Sequence, residues 1–199
     1  MTNYKVIDEY INLVKSGKYR VCREQIQLIK FVENVFENEE IYVDEEQLEK
    51  YLALQKYFPY QLFEWEKFCF ALHNCTYSAP CVLRFPDLVL IVGRGSGKNG
   101  YLAFEDFALL TPVNGIKNYD IDICSTSEEQ AKTSFNDIYE ILENNSAKMQ
   151  RHFKWNKTEI VNIKTNSTIR YRTSNSKTKD GGRPGKVDFC LLYTSDAAD

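Results

Sequence analysis

"VGRGSGKNGYLAF", Val92 to Phe104, decides how the rest of the chain is read. A glycine-rich turn that runs into an apolar stretch is the pattern of a phosphate-binding loop set between a strand and a helix. The standard form, G-x-x-x-x-G-K-[ST], has glycine where Val92 stands and a hydroxyl where Asn99 stands. The other positions suit the chemistry. Backbone N–H groups of a glycine turn form a concave nest, and the helix start adds positive potential, so both favour phosphate. Gly95 and Gly97 permit a close backbone approach, and Lys98 reaches the terminal phosphates as a point charge. Gly93 lies one place after the missing glycine, so a shifted turn still wraps phosphate. Asn99 is the more serious departure, because the hydroxyl it replaces ordinarily ligates magnesium. An amide oxygen serves there directly or through a water, with a longer reach. Gly93, Arg94, Gly95, Ser96, Gly97, Lys98 and Asn99 are the candidate nucleotide-binding residues, and Asn99 is the candidate indirect magnesium ligand.

Outward from the loop, the pattern alternates between strand and helix. "DLVLIVG", Asp87 to Gly93, reads as a short buried parallel strand ending in glycine. "GYLAFEDFALLT" reads as a helix closed by Pro112, and "YDIDICST" as a second strand with Ile121 and Ile123 facing the core. "SEEQAKTSFNDIYEILENN" predicts a helix capped by Ser127, with Phe135, Ile138 and Leu142 as its apolar stripe. "EIVNIKTNSTIRYRT" predicts a hairpin turning at Asn166 and Ser167, with Val161, Ile163, Ile169 and Tyr171 as strand apolars. A basic loop carrying Lys177, Lys179, Arg183 and Lys186 then leads into "VDF", the opening of another strand. It reads as a solvated loop, with contact to DNA or nucleotide as the alternative. This order of elements predicts an α/β domain of the P-loop NTPase type, built on a parallel sheet that is incomplete here.

Residues 4–57 read as an N-terminal helical appendage. Ile7, Tyr10, Ile11 and Val14 share one helical face, and Leu28, Phe31, Val32 and Val35 repeat the spacing. Asp44 with Gln47 resembles a capping box. In "PYQLFEWEKFCFALH", Pro59 suits a first helical turn, and Phe63 and Phe68 are expected on the core. The domain boundaries read from these patterns are 1–55, 56–189 and 190–199.

The chain has 199 residues, 43% of them hydrophobic and 27% charged, with a formal net charge of -3, so nothing global draws it to nucleic acid. The N-terminus has no apolar signal segment, and the run Leu88–Val92 is too short to cross a bilayer, so neither a secreted nor a membrane protein is expected. Six cysteines include no C-x-x-C pair. Cys69, His73, Cys75 and Cys81 cluster without a common zinc spacing, and reduced thiols packing as small apolar groups are the better reading. The last ten residues, "CLLYTSDAAD", back-translate to TGT CTC TTA TAC ACA TCT GAC GCT GCC GAC, a transposase adapter read in frame. Cys190–Asp199 are therefore expected to be non-native. Without them the chain carries 25 basic and 26 acidic residues.

Residues 56–189 resemble the large terminase subunit of tailed bacteriophages, the motor that packages DNA. "PYQLFEW" resembles that family's adenine-recognising glutamine motif, which makes Gln61 the base reader. "GRGSGKN" resembles its deviant Walker A loop, in which an arginine precedes the glycines, and implies Arg94 as a γ-phosphate sensor. "ICSTSEEQAKTSF" is similar to the second strand and its Gln-Ala helix, and "RTSNSKTKDGGRP" to the segment before the Walker B strand. The resemblance implies ATP and magnesium as ligands and double-stranded DNA as substrate. It further implies a portal protein and a small terminase subunit as partners, a homo-oligomeric ring, and the cytoplasm of a bacterial host. A C-terminal endonuclease domain, itself dependent on divalent metal, belongs to the family and is not in this sequence.

A P-loop ATPase also needs an acidic pair at the far end of an apolar strand. Asp188 stands too early in "VDF" for that role, so no catalytic acid is present, and the chain is expected to bind ATP without hydrolysing it. Two alternatives remain at this point. Another P-loop ATPase, a helicase or AAA-type protein, would more often carry Ser or Thr after the lysine. A non-enzymatic interaction domain with a glycine turn would gain no stability from Mg-ATP.

Overall fold

The computed structural model describes residues 2–125, 127–173 and 183–189, and the chain divides into two compact units, Met1–Ile91 and Val92–Asp199. None of the described helices is long and apolar enough to cross a membrane.

The first unit contains helices α1 (Lys5–Lys15), α2 (Arg23–Asn38), α3 (Glu45–Leu52) and α4 (Glu64–Cys75). They accompany a small antiparallel sheet of β1 (Tyr42–Val43), β2 (Thr76–Ala79) and β3 (Val82–Leu83). Helix α1 forms as its spacing predicts and buries Ile7, Tyr10, Ile11 and Val14; each such side chain contributes about 1.5–3 kcal/mol. Helix α3 starts where Asp44 Oδ1 accepts the Gln47 N–H at 2.9 Å, which supplies the expected cap. Helix α2 turns a different stripe inward, Ile29, Val32 and Val35, and leaves Phe31 50% exposed. The two stripes share Val32 and Val35, so periodicity alone could not separate them. The expected helix at Pro59 begins instead at Glu64, after a 3₁₀ turn at Ala53–Tyr57. Its start is set by Glu66, whose carboxylate accepts the Phe63 N–H at 2.7 Å, half of a capping box. Phe63 is therefore a cap residue, 59% exposed, while Phe68 enters the core as expected.

The second unit contains α5 (Lys98–Leu110), β4 (Ile121–Ser125), α6 (Glu128–Asn144), α7 (Ser146–Met149), β5 (Phe153–Trp155), β6 (Glu159–Asn162), β7 (Ser167–Thr173) and β8 (Lys186–Phe189). The sheet order is β5-β6-β7-β4-β8. Strand β4 runs parallel to both β7 and β8, whereas β5, β6 and β7 are antiparallel, so the sheet is mixed and its parallel part is the centre and one edge. Ile121 pairs in register with Ile169 and Ile123 with Tyr171, which puts these side chains on one face. That face receives the helices: Phe135 of α6 meets Tyr171 edge-on at 5.2 Å, and Phe107 of α5 meets Phe153 at 5.9 Å. The opposite face carries ion pairs, Arg172 with Asp122 at 2.7 Å and Arg170 with Glu159.

Two strand expectations are corrected. "DLVLIVG" forms no strand: Val89 is 76% and Ile91 93% exposed, and no described strand pairs with the segment. Hydrophobicity marks a run able to join a ladder; it cannot supply the partner that makes the ladder. In the hairpin, the turn occupies residues 163–166, which leaves Ile163 exposed and brings Ile160 and Asn162 inward. Asn162 is buried because it is a fastener. Its Oδ1 accepts the Lys164 and Thr165 N–H groups of the turn, and its Nδ2 donates to the Leu110 carbonyl at 2.8 Å.

Candidate nucleotide-binding site

The loop and α5 form one unit of chain. Gly95 has φ +81° and Gly97 φ +96°, the left-handed region where a Cβ costs about 1–2 kcal/mol. The Ser96 N–H closes on the Gly93 carbonyl at 3.3 Å, and Gly97 caps α5, its carbonyl accepting the Tyr101 N–H at 3.0 Å. Among the described residues, a Cβ added at Gly93 or Gly95 would meet nothing within 4 Å, so the space beside these two glycines is open. Lys98 is the first residue of α5 and is half-buried, as are Ser96 and Gly97; Gly93, Arg94, Gly95 and Asn99 are exposed. The sequence-predicted residues 93–99 thus sit together at a helix start whose dipole favours an anion.

What makes this placement rigid is the rest of α5. Tyr101, Ala103, Phe104, Phe107, Ala108 and Leu110 are all buried. At its far end Thr111 Oγ1 donates to the Ala108 carbonyl at 2.7 Å, beside the Asn162 contact to Leu110.

Gln61 belongs to the first unit. It is exposed, and the two residues after it are held: Gln55 Oε1 accepts the Leu62 N–H at 2.9 Å, and Glu66 accepts the Phe63 N–H. Burial pushes the Glu66 carboxyl up to about 7, against the Phe63 N–H, which pulls it down.

Among the described residues no group of three His, Cys, Asp or Glu side chains could hold a metal ion. For magnesium at the loop, the only candidate donor from the sequence reading is Asn99, exposed in the first turn of α5. Lys177, Lys179 and Cys190–Asp199 lie outside the described residues. Arg183 is exposed, but Lys186, expected in the same solvated basic loop, keeps its side chain only 9% exposed among three carboxylates of the second unit. This reverses the sequence reading, because the charge run hides a strand position. Glu105 and Asp106, its partners on α5, also escaped that reading. The available signal was an adjacent acidic pair inside the apolar run "YLAFEDFALL".

The chain matches the model of one protein family, described as the terminase large subunit, ATPase domain, over residues 64–189. A solved structure, that of the HK97 bacteriophage large terminase, is similar in fold, with a TM-score of 0.60 at 20% identity. The match covers 74% of this chain and 31% of that one, so the chain spans about a third of the length of the solved relative. No curated protein matches.

Proposed function

Since the chain belongs to the terminase large subunit ATPase family, we propose that residues 56–189 are the first part of a DNA-packaging ATPase domain and that residues 93–99 bind the phosphates of ATP. The observation that carries this reading is the left-handed pair Gly95 and Gly97 opening α5 at Lys98, with no described residue within 4 Å of a Cβ at Gly93 or Gly95. Lys98 takes the terminal phosphates, Arg94 senses the γ-phosphate in cis, and Gln61 reads adenine. The family implies magnesium, and Asn99 is the residue that would hold it, through a water; when bound, it would neutralise charge on the phosphates. The backbone of Gly93–Gly97 orients the phosphates, and the α5 start favours their charge.

In the whole protein we assign this domain to driving double-stranded DNA translocation in a homo-oligomeric ring. That ring would work in the bacterial cytoplasm with a portal protein and a small terminase subunit, and with an endonuclease domain beyond this sequence. The 199-residue chain itself binds ATP without turnover, because residues 190–199 supply no adjacent acidic pair after β8. Competition against a fluorescent ATP analogue tests the site. Wild-type chain should prefer ATP over GTP, and Gln61→Ala should erase the preference. Equal affinity for both nucleotides in the wild type removes Gln61 from the site, and steady turnover above a Lys98→Ala control contradicts the claim of inactivity.

A further inference from the structure

The second unit buries a charged cluster that phosphate binding does not use. The Lys186 side chain is 9% exposed, and its Nζ lies 2.9 Å from Glu105 Oε2, 2.6 Å from Asp106 Oδ1 and 2.9 Å from Asp188 Oδ2. The other Glu105 oxygen accepts from Tyr101 Oη at 2.9 Å. Asp106 Oδ2 is buried and, among the described residues, accepts no hydrogen bond. Tyr119 closes the cluster against the backbone, for a Cβ at Gly185 would lie 2.4 Å from its ring carbons. Two elements meet here. Helix α5 contributes Tyr101, Glu105 and Asp106, and β8 contributes Lys186 and Asp188, which strand alternation places on one face.

Such a cluster is a poor source of stability, since apolar side chains of similar volume often do as well or better. What it supplies is direction. Three charge-assisted bonds fix Lys186 in position, where a leucine would tolerate sliding. Strand β8 needs that constraint, because among the described residues it pairs on one side only, with β4. Glu105 and Asp106 lie about 10–12 Å along α5 from Lys98, at 1.5 Å per residue, on the same rigid helix that begins at the loop.

We propose that Lys186 is a positioning residue that registers β8 against α5, so that a ligand held at the start of α5 is felt at β8. The ligand part rests on the nucleotide reading above; the registering of β8 does not. The charge state agrees. Burial alone would lower the Lys186 pKa, but Asp106, Asp188 and Glu105 outweigh it and hold the ammonium well above its ordinary range.

Amide hydrogen exchange on the 199-residue chain, with and without Mg-ATP, tests this. The variant K186M/D106N removes the ammonium and one of its acidic partners and keeps the volume. In the wild type, Mg-ATP should slow exchange at the opening turn of α5 and, at least threefold, at Val187–Phe189. In the variant the first effect should survive and the second vanish. Protection of α5 alone in the wild type, or equal protection of β8 in the variant, overturns the proposal. If Mg-ATP slows nothing in the wild type, the nucleotide reading fails, and the ligand-free comparison decides about Lys186. Exchange at Val187–Phe189 should then be at least tenfold faster in the variant while Ile121–Cys124 stay unchanged, and an unchanged β8 overturns the role. Should the variant not fold, the wild-type response to Mg-ATP decides.

Discussion

Asp106→Asn should make the chain more stable at neutral and alkaline pH, although it removes a carboxylate from a lysine. Asp106 is 0% exposed, and burial first, then the neighbouring Asp188 carboxylate, push its pKa well above the ordinary range against the pull of Lys186. The groups around it are Glu105, Asp188, Lys186 and Tyr119. A carboxyl raised in the folded state contributes stability that is full below its unfolded pKa and lost as pH rises through its folded pKa. Each unit of that rise is worth about 1.4 kcal/mol. Asparagine mimics the protonated form: its oxygen can keep the 2.6 Å contact to Lys186, and its NH2 can donate to the Asp188 carboxylate, as the protonated carboxyl of Asp106 does. Asp106 is the first of the groups that hold the Lys186 ammonium up, so the series stops at about pH 8, where Asp188 and Glu105 still face that ammonium in the variant. Urea denaturation at a series of pH values reads the effect as midpoint shifts. The variant should match the wild type at the acid end and gain on the order of 1–3 kcal/mol at the alkaline end. Parallel curves, or a variant less stable throughout, would refute the reasoning.

Two further predictions concern stability. Glu66→Gln keeps the acceptor for the Phe63 N–H and removes a titration that runs from 4.5 unfolded to about 7 folded. The wild type should lose stability relative to the variant as pH rises through about 7, and a constant difference in melting temperature between pH 4 and pH 8 contradicts this. Asn162→Ala strands the Leu110 carbonyl and two turn amides, and should cost about 2–3 kcal/mol in urea denaturation; a loss under about 0.5 kcal/mol would mean that water replaces the fastener.

The phosphate loop was readable in the sequence because its requirements are local. Gly95 and Gly97 are glycines for reasons of φ, and Lys98 opens a helix whose apolar run announces burial. Helices α1 and α6 were equally plain, since one stripe of each meets a core. What could not be read is what depends on a distant partner. The run Leu88–Val92 has the composition of a buried strand and no described ladder to join, and Lys186 sits in a basic stretch yet points at acids eighty residues earlier. Asn162 looks like a polar strand residue until the Leu110 carbonyl is seen to need it. Charge in a sequence gives no sign of its partner.

The measurement closest to the central claim is the binding of Mg-ATP to the 199-residue chain by titration calorimetry, beside Lys98→Ala. The account predicts saturable one-to-one binding in the wild type and at least a tenfold loss in the variant, whose melting temperature is otherwise unchanged. No heat of binding in a folded wild-type chain, or equal affinity in the two proteins, would contradict the assignment of Gly93–Asn99 as a nucleotide site.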